Sequence, residues 1–159
     1  MSLRRMDNVG IVVDDLAATI AFFSELGLQL EGETQVAGQS VDRLVGLDGV
    51  RVDIAMMRTP DRNSRLELMQ FRNPRAVSGN PKRAPVNTLG IRRLMFAVDD
   101  LEEVLARLQA RGAELMGEVT QYEDSYLLCY VRGPEPRAGR AAGLSKTFRM
   151  PVTACAGRR

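Results

Sequence analysis

The sequence predicts an α+β fold composed of two tandem βαβββ modules. Three observations lead to this prediction: an internal repeat, the same acidic pair between a strand and a helix in both copies, and an apolar stripe on each helix. At 159 residues, the chain has the length of one compact domain in which two half-size modules share a core. We therefore expect one structural domain overall.

The repeat has an offset of 85 residues. Val13-Asp14-Asp15-Leu16 recurs as Val98-Asp99-Asp100-Leu101. Nine identities fall in one ungapped register of 21 positions, which indicates a duplication rather than chance. The other five identities pair Ala21 with Ala106, Gly27 with Gly112, Leu30 with Leu115, Gly32 with Gly117 and Glu33 with Glu118.

Each copy opens with a strand and continues into a helix. The runs Val9–Val13 and Leu94–Val98 are short and apolar, as is typical of buried strands. The Asp pair that follows supplies an N-cap and a negative first turn, so a helix is predicted after it. The helices have apolar stripes of Leu16, Ile20 and Phe23 and of Leu101, Leu105 and Leu108, and C-terminal caps at Gly27 and Gly112.

Further strands are predicted from apolar runs and the turn signals between them. They are Leu28–Glu33, Val50–Arg58 and Arg65–Phe71 in the first copy, and Ala113–Val119 and Tyr126–Arg132 in the second, while Val41–Leu47 is a short helical or irregular piece. The last strand of the second copy is uncertain, because Pro136–Gly143 offers nothing to pack on a sheet. Either Leu144–Val152 replaces it after a longer loop, or the chain from Pro136 is an altered end of an ancestral module.

These elements predict the boundaries of the parts. The first module covers residues 1–72, a linker rich in proline and glycine covers 73–90, the second module covers 91–135, and an atypical basic tail covers 136–159. The tail contains six basic residues and no acid, but only one aromatic residue and no nucleic-acid-binding motif. Nucleic acid is therefore not an expected partner.

The composition is that of an ordinary soluble protein, with 45% hydrophobic and 26% charged residues. Since no apolar run has the length of a membrane span and the N-terminus lacks a secretory signal, a cytoplasmic location without membrane contact is expected. Cys129 and Cys155 are expected to be free thiols. The chain has no histidine, which excludes the usual catalytic triads and the commonest zinc ligand.

The duplicated unit resembles a known superfamily. It opens with Asp7-Asn8-Val9-Gly10-Ile11-Val12-Val13-Asp14-Asp15-Leu16 and carries Leu66-Glu67-Leu68 on its fourth strand, and in this it is similar to the glyoxalase/bleomycin-resistance/dioxygenase group, or vicinal oxygen chelate superfamily. The resemblance covers residues 6–135. It implies that eight strands form a cup-shaped mixed sheet and that the chain is a homodimer. In the enzymes of the group, a divalent metal on the cup floor holds two neighbouring oxygens of the substrate.

The metal ligands that the resemblance implies are mostly absent. The first ligand position falls on Asn8, and its counterpart in the second copy falls on Arg93; neither suits a transition metal. Glu67 matches the carboxylate of the first module. The last ligand position falls on Val152 by the repeat offset or on Gly143 by direct continuation of the chain. No cofactor is therefore expected, and a divalent metal would depend on Glu67.

Glu67 is the candidate catalytic residue. It alternates with Met69 and Phe71 on one strand face, where a buried acid is costly unless it is paired. Two interpretations remain open. Either Glu67 meets Asn8 and Arg93 on the cup floor, where Arg93 grips an anionic or carbonyl-bearing ligand, or Glu67 simply reaches solvent or pairs with Arg93. The predicted ligand-binding residues are Asn8, Glu67, Met69, Arg93, Met95 and Tyr126.

Several other positions have two interpretations. Met95, Tyr122, Tyr126 and Tyr130 either line a ligand cavity or pack in the core. Asp53 and Arg51 are either cup residues or a cross-strand ion pair. Cys129 alternates with apolar residues and is interpreted as a small buried hydrophobe.

Three functions are consistent with these residues. The first is the binding of a small organic ligand in the cup without a metal. The second is a metal-dependent lyase, isomerase or dioxygenase that uses Glu67. The third is a metal-free enzyme with Glu67 as general base. The missing ligands weigh against the second function more than against the others.

Overall fold

The computed structural model describes residues 6–77, 93–122, 126–133 and 141–147. Within them the chain forms the predicted α+β fold of two tandem βαβββ modules. The first module contains β1 (Val9–Val12), α1 (Leu16–Leu26), β2 (Gln29–Ala37), α2 (Gln39–Val45), β3 (Arg51–Arg58) and β4 (Arg65–Asn73). The second contains β5 (Arg93–Ala97), α3 (Leu101–Ala110), β6 (Glu114–Tyr122), β7 (Tyr126–Arg132) and β8 (Ala141–Thr147).

The repeat is preserved in the hydrogen bonds that begin helices α1 and α3. The Asp15 carboxylate accepts a hydrogen bond from the Ala18 amide at 2.9 Å, and the Asp100 carboxylate accepts one from the Glu103 amide at 3.0 Å. Both aspartates have an extended backbone, which leads the chain from the strand into the first helical turn. The predicted N-caps are confirmed.

Glycines also end both helices. Gly27 has a φ of 110° and Gly112 a φ of 85°, in the left-handed region that favours glycine. The residue after each glycine donates its amide to the carbonyl five residues earlier, at 2.9 and 3.0 Å. The two caps differ in one respect: Gly27 is itself the cap residue, whereas Gly112 follows the cap residue Arg111.

Each module contributes one four-stranded mixed sheet. The strand order is β1-β4-β3-β2 in the first sheet and β5-β8-β7-β6 in the second. In both sheets the first strand lies parallel to the last, and the other pairs are antiparallel. The duplication therefore extends to the pairing of the strands.

One face of each sheet is buried under the helices. The most buried side chains at these faces are Ala55, Met57 and Leu68 of the first sheet and Cys129 and Val131 of the second, together with Leu101 and Leu108 of α3. Because strand residues alternate between faces, the next residues along lie on the opposite face, here called the open face. Its half-buried or exposed residues include Asn8, Gly10, Ile54, Met56, Glu67 and Met69 in the first module, and Arg93, Met95, Leu128 and Tyr130 in the second.

The two modules pack against each other through α1 and α3. The ring centroids of Phe23 and Phe96 are 6.3 Å apart, and Nη2 of Arg111 lies 2.7 Å from Oε1 of Glu25. One cluster of buried apolar side chains contains residues of both modules. Across the described residues, no helix combines the length and apolar character needed to cross a membrane.

The final strand differs from its predicted range. It begins at Ala141 rather than at Leu144 and is described as far as Thr147, while the remainder of the predicted range lies outside the described residues. Its backbone is paired with β5 on one side and β7 on the other, and this pairing holds small residues in a strand that their weak β propensity does not predict. Most of the predicted linker, the predicted turn after Gly133 and the tail beyond Thr147, including Val152 and Cys155, lie outside the described residues.

Two elements of the first module are also longer or better defined than predicted. Strand β2 continues to Ala37, because all of its last residues pair with β3. The segment after it is the helix α2. The Asp42 carboxylate accepts hydrogen bonds from the amides of Gly49 at 3.0 Å and Val50 at 2.7 Å, and so attaches α2 to the start of β3.

Candidate ligand-binding site

Asn8 and Glu67 meet on the open face of the first module. Strand β1 lies parallel to β4, with Val9 paired to Leu66 and Gly10 to Glu67. Asn8 immediately precedes β1, and its Nδ2 donates a hydrogen bond to Oε2 of Glu67 at 2.6 Å. Both side chains are half-buried. The structure therefore brings these two predicted site residues together.

Methionines border this pair. Met69 follows Glu67 on the same face of β4, and a Cβ atom at Gly10 would lie only 2.9 Å from the Met69 Cε. The glycine thus leaves the space that the Met69 methyl group occupies. Met56 lies directly opposite Glu67 on β3. Since methionine side chains are flexible and polarisable, the pair has an adaptable apolar surface beside it.

Arg93 lies on the open face of the second module, at the start of β5, in the position that the repeat makes equivalent to Asn8. Its guanidinium carbon is 4.8 Å from the centroid of the Tyr130 ring, a cation–π contact. In the part of the chain that the structure describes, Arg93 forms no hydrogen bond or ion pair. Glu67 is hydrogen-bonded to Asn8, and Arg93 contacts Tyr130 instead. Among the described residues, therefore, the structure shows neither the predicted ion pair of Glu67 with Arg93 nor a meeting of Asn8, Glu67 and Arg93.

The register of β8 places Gly143 where the first module has Glu67. Gly10 is paired with Glu67 between β1 and β4, and Met95, the repeat equivalent of Gly10, is paired with Gly143 between β5 and β8. The sequence left two candidates for the last ligand position, Gly143 and Val152. Gly143 is the one that the strand pairing makes equivalent to Glu67, and Val152 lies outside the described residues. The second open face therefore has no side chain at the position equivalent to the carboxylate.

Met95 and Tyr126 are the remaining predicted ligand-binding residues. Met95 is 49% exposed on the second open face. Tyr126 begins β7 opposite Tyr122, and the side chains of both lie outside the described part. A cavity of about 710 Å³ between the modules is bordered by Met95, and neither Asn8 nor Glu67 reaches it. The predicted site is a pair of sheet faces rather than this cavity.

Asp53 belongs to a cross-strand network on the helix-covered side of the first sheet. Its carboxylate accepts hydrogen bonds from Nε2 of Gln35 at 2.7 Å and from Nε of Arg72 at 2.6 Å. The hydrogen bond from Gln35, followed by that from Arg72, lowers the pKa of Asp53. Asp53 thus forms a cross-strand ion pair, as one interpretation predicted, and its partner is Arg72 of β4.

Cys129 is confirmed as a small buried hydrophobe. It is 2% exposed among the apolar side chains that join the two modules. Burial raises the pKa of its thiol, which keeps it in the unreactive protonated form.

The sequence does not single out four residues of the open faces: Gly10, Ile54, Met56 and Leu128. Strand alternation predicts that Met56 and Met57 lie on opposite faces of the sheet. It does not predict which of the two faces a helix covers. The face of Met57 is the one buried under α1, so Met56 is the methionine beside the site.

Comparisons with known proteins agree with this geometry. The family model of the Glyoxalase/Bleomycin resistance protein/Dioxygenase superfamily matches residues 7–130. The chain belongs to this superfamily. The crystal structure of a glyoxalase family protein from Bacillus cereus is 49% identical, with 93% of this chain and 97% of that chain covered and a TM-score of 0.86. A search of curated proteins finds no match.

Two more distant members of the superfamily's fold are similar in structure alone. TnmS3, an antibiotic binding protein from Streptomyces sp. CB03234, is 18% identical over 93% of this chain and 99% of that chain, with a TM-score of 0.57. A mutant of the fosfomycin resistance protein FosX from Listeria monocytogenes, complexed with Mn(II) and dihydroxypropylphosphonic acid, is 12% identical over 90% of both chains, with a TM-score of 0.59.

The metal-binding pattern expected for enzymes of the superfamily does not fit the residues of this chain. The first ligand position is an amide, Asn8, in one module and a guanidinium, Arg93, in the other. The carboxylate position holds Glu67 in one module and Gly143 in the other. One carboxylate, already contacted by an amide, is too weak a set for a divalent transition metal. Across the described residues, no three His, Cys, Asp or Glu side chains are grouped to hold a metal ion.

Proposed function

We propose that this member of the superfamily binds a small organic ligand on the open faces of its two modules and does so without a metal ion. The observation that carries the proposal is the hydrogen bond of 2.6 Å from Asn8 to Glu67. This hydrogen bond occupies one oxygen of Glu67, which is the only carboxylate among the residues at the four superfamily ligand positions. The equivalent place in the second module holds Arg93 and Gly143, which supply no metal ligand.

The open faces supply what small-molecule sites usually need, an apolar surface with a few polar groups that orient the ligand. Met56, Met69 and Met95 supply apolar surface, while Glu67 and Arg93 supply one acceptor and one cation. Two distant structural neighbours, an antibiotic binding protein and a fosfomycin resistance protein with a bound phosphonic acid, are compatible with ligand binding on this fold. They do not indicate the chemistry of the ligand here.

Metal retention tests the metal-free part of the proposal. The purified protein is incubated with zinc, nickel, iron and manganese, dialysed and analysed for metal content. We expect less than roughly a tenth of an equivalent of each. Stoichiometric retention that is lost in Glu67→Ala, but kept in the exposed control Glu102→Ala, would overturn the proposal in favour of a metal-dependent lyase, isomerase or dioxygenase.

Methyl-labelled methionine NMR tests where ligands bind. The chain has eight methionines, and a fragment library is added to the labelled protein. Bound fragments are expected to shift the signals of Met56, Met69 and Met95 on the open faces. Met57, which has no exposed surface on the covered face, is the internal control. Shifts confined to other methionines would contradict the proposed site.

Glu67 also remains the predicted general base of a metal-free reaction. Only its Oε2 accepts a hydrogen bond in the described part of the chain, so its other oxygen is available to a substrate proton. A reaction that uses this base should lose its activity in Glu67→Gln while ligand binding is retained.

We further propose that the chain is a homodimer. Large apolar side chains are exposed on the described surface, among them Val12 at 42%, Leu30 at 43% and Leu44 at 85%. Exposed apolar patches often mark a protein interface. Light scattering is expected to give twice the 17.6 kDa mass of the chain. A mass of one chain at all concentrations would contradict the dimer.

A further inference from the structure

Among the described residues, no acidic side chain neutralises the charge on Arg93. Two other arginines follow the same alternation onto the first open face, and both have acidic partners: Arg58 pairs with Glu31, and Arg65 lies 3.4 Å from Asp7. Arg93 is exposed and contacts the Tyr130 ring, with no acid or hydrogen-bond acceptor as partner in the described residues. A cation in this setting is available to an anion from solution.

The contact with Tyr130 also fixes how the cation is presented. Its guanidinium carbon lies 4.8 Å from the ring centroid, so the ring supports the group from one side. The N–H groups of the supported guanidinium remain available to a ligand. Two parallel N–H groups match the two oxygens of a carboxylate. Tyr130 therefore acts as a positioning residue for Arg93.

The surroundings of Arg93 also restrict the rest of the ligand. Met95 lies next along the same face of β5 and is 49% exposed, so apolar surface begins directly beside the cation. Glu67 would repel a carboxylate placed against it. The anionic end of a ligand is therefore expected at Arg93, and its uncharged part against Met95.

We infer that the molecule bound on the open faces is an organic carboxylate with an apolar body, received by Arg93 and oriented through Tyr130. This inference rests on the proposed function, since it names the class of ligand for the same site. A carboxylate would pair with the charge of Arg93, whereas a neutral carbonyl compound would leave that charge without a partner.

Calorimetric titration of the full chain with matched pairs tests the inference. The probes are benzoate and benzamide, phenylacetate and phenylacetamide, and hexanoate and hexanamide. Each carboxylate is expected to bind at least about tenfold more tightly than its amide, the difference that a charge-assisted pair supplies. Arg93→Gln is expected to remove this preference. The matched control is Arg43→Gln, an exposed arginine on α2 without an ion pair in the described residues, which should keep it.

Variants of Tyr130 test the positioning role separately. Tyr130→Phe keeps the aromatic ring and is expected to retain the preference for carboxylates, whereas Tyr130→Leu is expected to lose most of it at an unchanged thermal midpoint. If Tyr130→Leu retains the full preference, Tyr130 does not position Arg93. If Tyr130→Leu unfolds, Tyr130→Phe and Arg93→Gln still test the inference. Loss of the preference for carboxylates in Tyr130→Phe would contradict a role for the ring alone.

The failures of the two proposals are distinguishable. Equal affinity for carboxylate and amide would overturn the carboxylate inference and leave ligand binding standing. An equal loss in Arg43→Gln and Arg93→Gln would assign the preference to general charge and overturn the inference too. Absence of binding by every probe, together with unshifted Met56 and Met69 signals for the fragment library, would overturn both.

Discussion

Nδ2 of Asn8 lies 2.6 Å from Oε2 of Glu67. This contact joins the residue just before β1 to β4, the strand that lies parallel to β1. The two residues are 59 apart in sequence, so the bond closes the first module across its parallel strand pair. It also directs the amide of Asn8 at the carboxylate on the open face. The same contact thus contributes to stability and sets the chemistry of the site.

A double-mutant cycle measures this contact. Asn8→Ala, Glu67→Ala and the double variant are compared in urea unfolding. Hydrogen bonds to charged groups contribute about 1.5–3 kcal/mol, and since both side chains are half-exposed to solvent we expect a coupling of about 1 kcal/mol. A coupling indistinguishable from zero would show that the two side chains do not interact in solution.

The helix caps predict equal effects at equivalent positions. Asp15→Ala and Asp100→Ala each remove a hydrogen bond to a free amide of the first turn, so each should lower the free energy of unfolding by about 1 kcal/mol. Chemical denaturation of both variants checks this. Asp99→Ala is the control, because Asp99 is exposed and caps nothing, and a loss as large as that of Asp100→Ala would count against the capping role.

The network around Asp53 predicts a dependence of stability on pH. Hydrogen bonds from Gln35 and Arg72 lower the pKa of Asp53 below its usual 3.8 in the folded protein. The unfolded chain then binds the proton more tightly, so the contribution of Asp53 is present above pH 3.8 and is lost as the pH falls through the lower folded value. The thermal midpoints of wild type and Asp53→Asn should therefore differ at neutral pH and converge in acid. A difference that is constant over this range would contradict the lowered pKa.

The sequence was informative wherever a local rule acts. Asp15 and Asp100 were predicted as caps, and Gly27 as a left-handed residue, because capping and positive φ depend on neighbours within one turn. The repeat then carried these local assignments from one module to the other. The resemblance to the superfamily implied that Asn8, Glu67 and Arg93 meet, and the structure joins the first two, whereas Arg93 contacts Tyr130.

Features that depend on long-range packing could not be predicted from the sequence in this way. Whether Met56 or Met57 faces the site depends on which face α1 covers, and that is decided by the whole core. The start of β8 at Ala141 depends on pairing with β5 and β7 rather than on the small side chains of the strand itself. The support of Arg93 by Tyr130 joins two strands separated in the sheet by β8, and no spacing in the sequence indicates it.

The contact between the modules predicts that they unfold together. Phe23 of α1 is buried and lies against Phe96 of β5, so Phe23→Ala should lower the free energy of unfolding by about 3–5 kcal/mol, and Phe23→Leu by less. All three tyrosines belong to the second module and the chain has no tryptophan, so tyrosine fluorescence reports on that module alone. Circular dichroism reports on both. Because the modules share a core, the two signals should shift by the same amount in Phe23→Ala, although the substitution is in the first module. A fluorescence transition that stays at the wild-type midpoint would show instead that the second module folds independently.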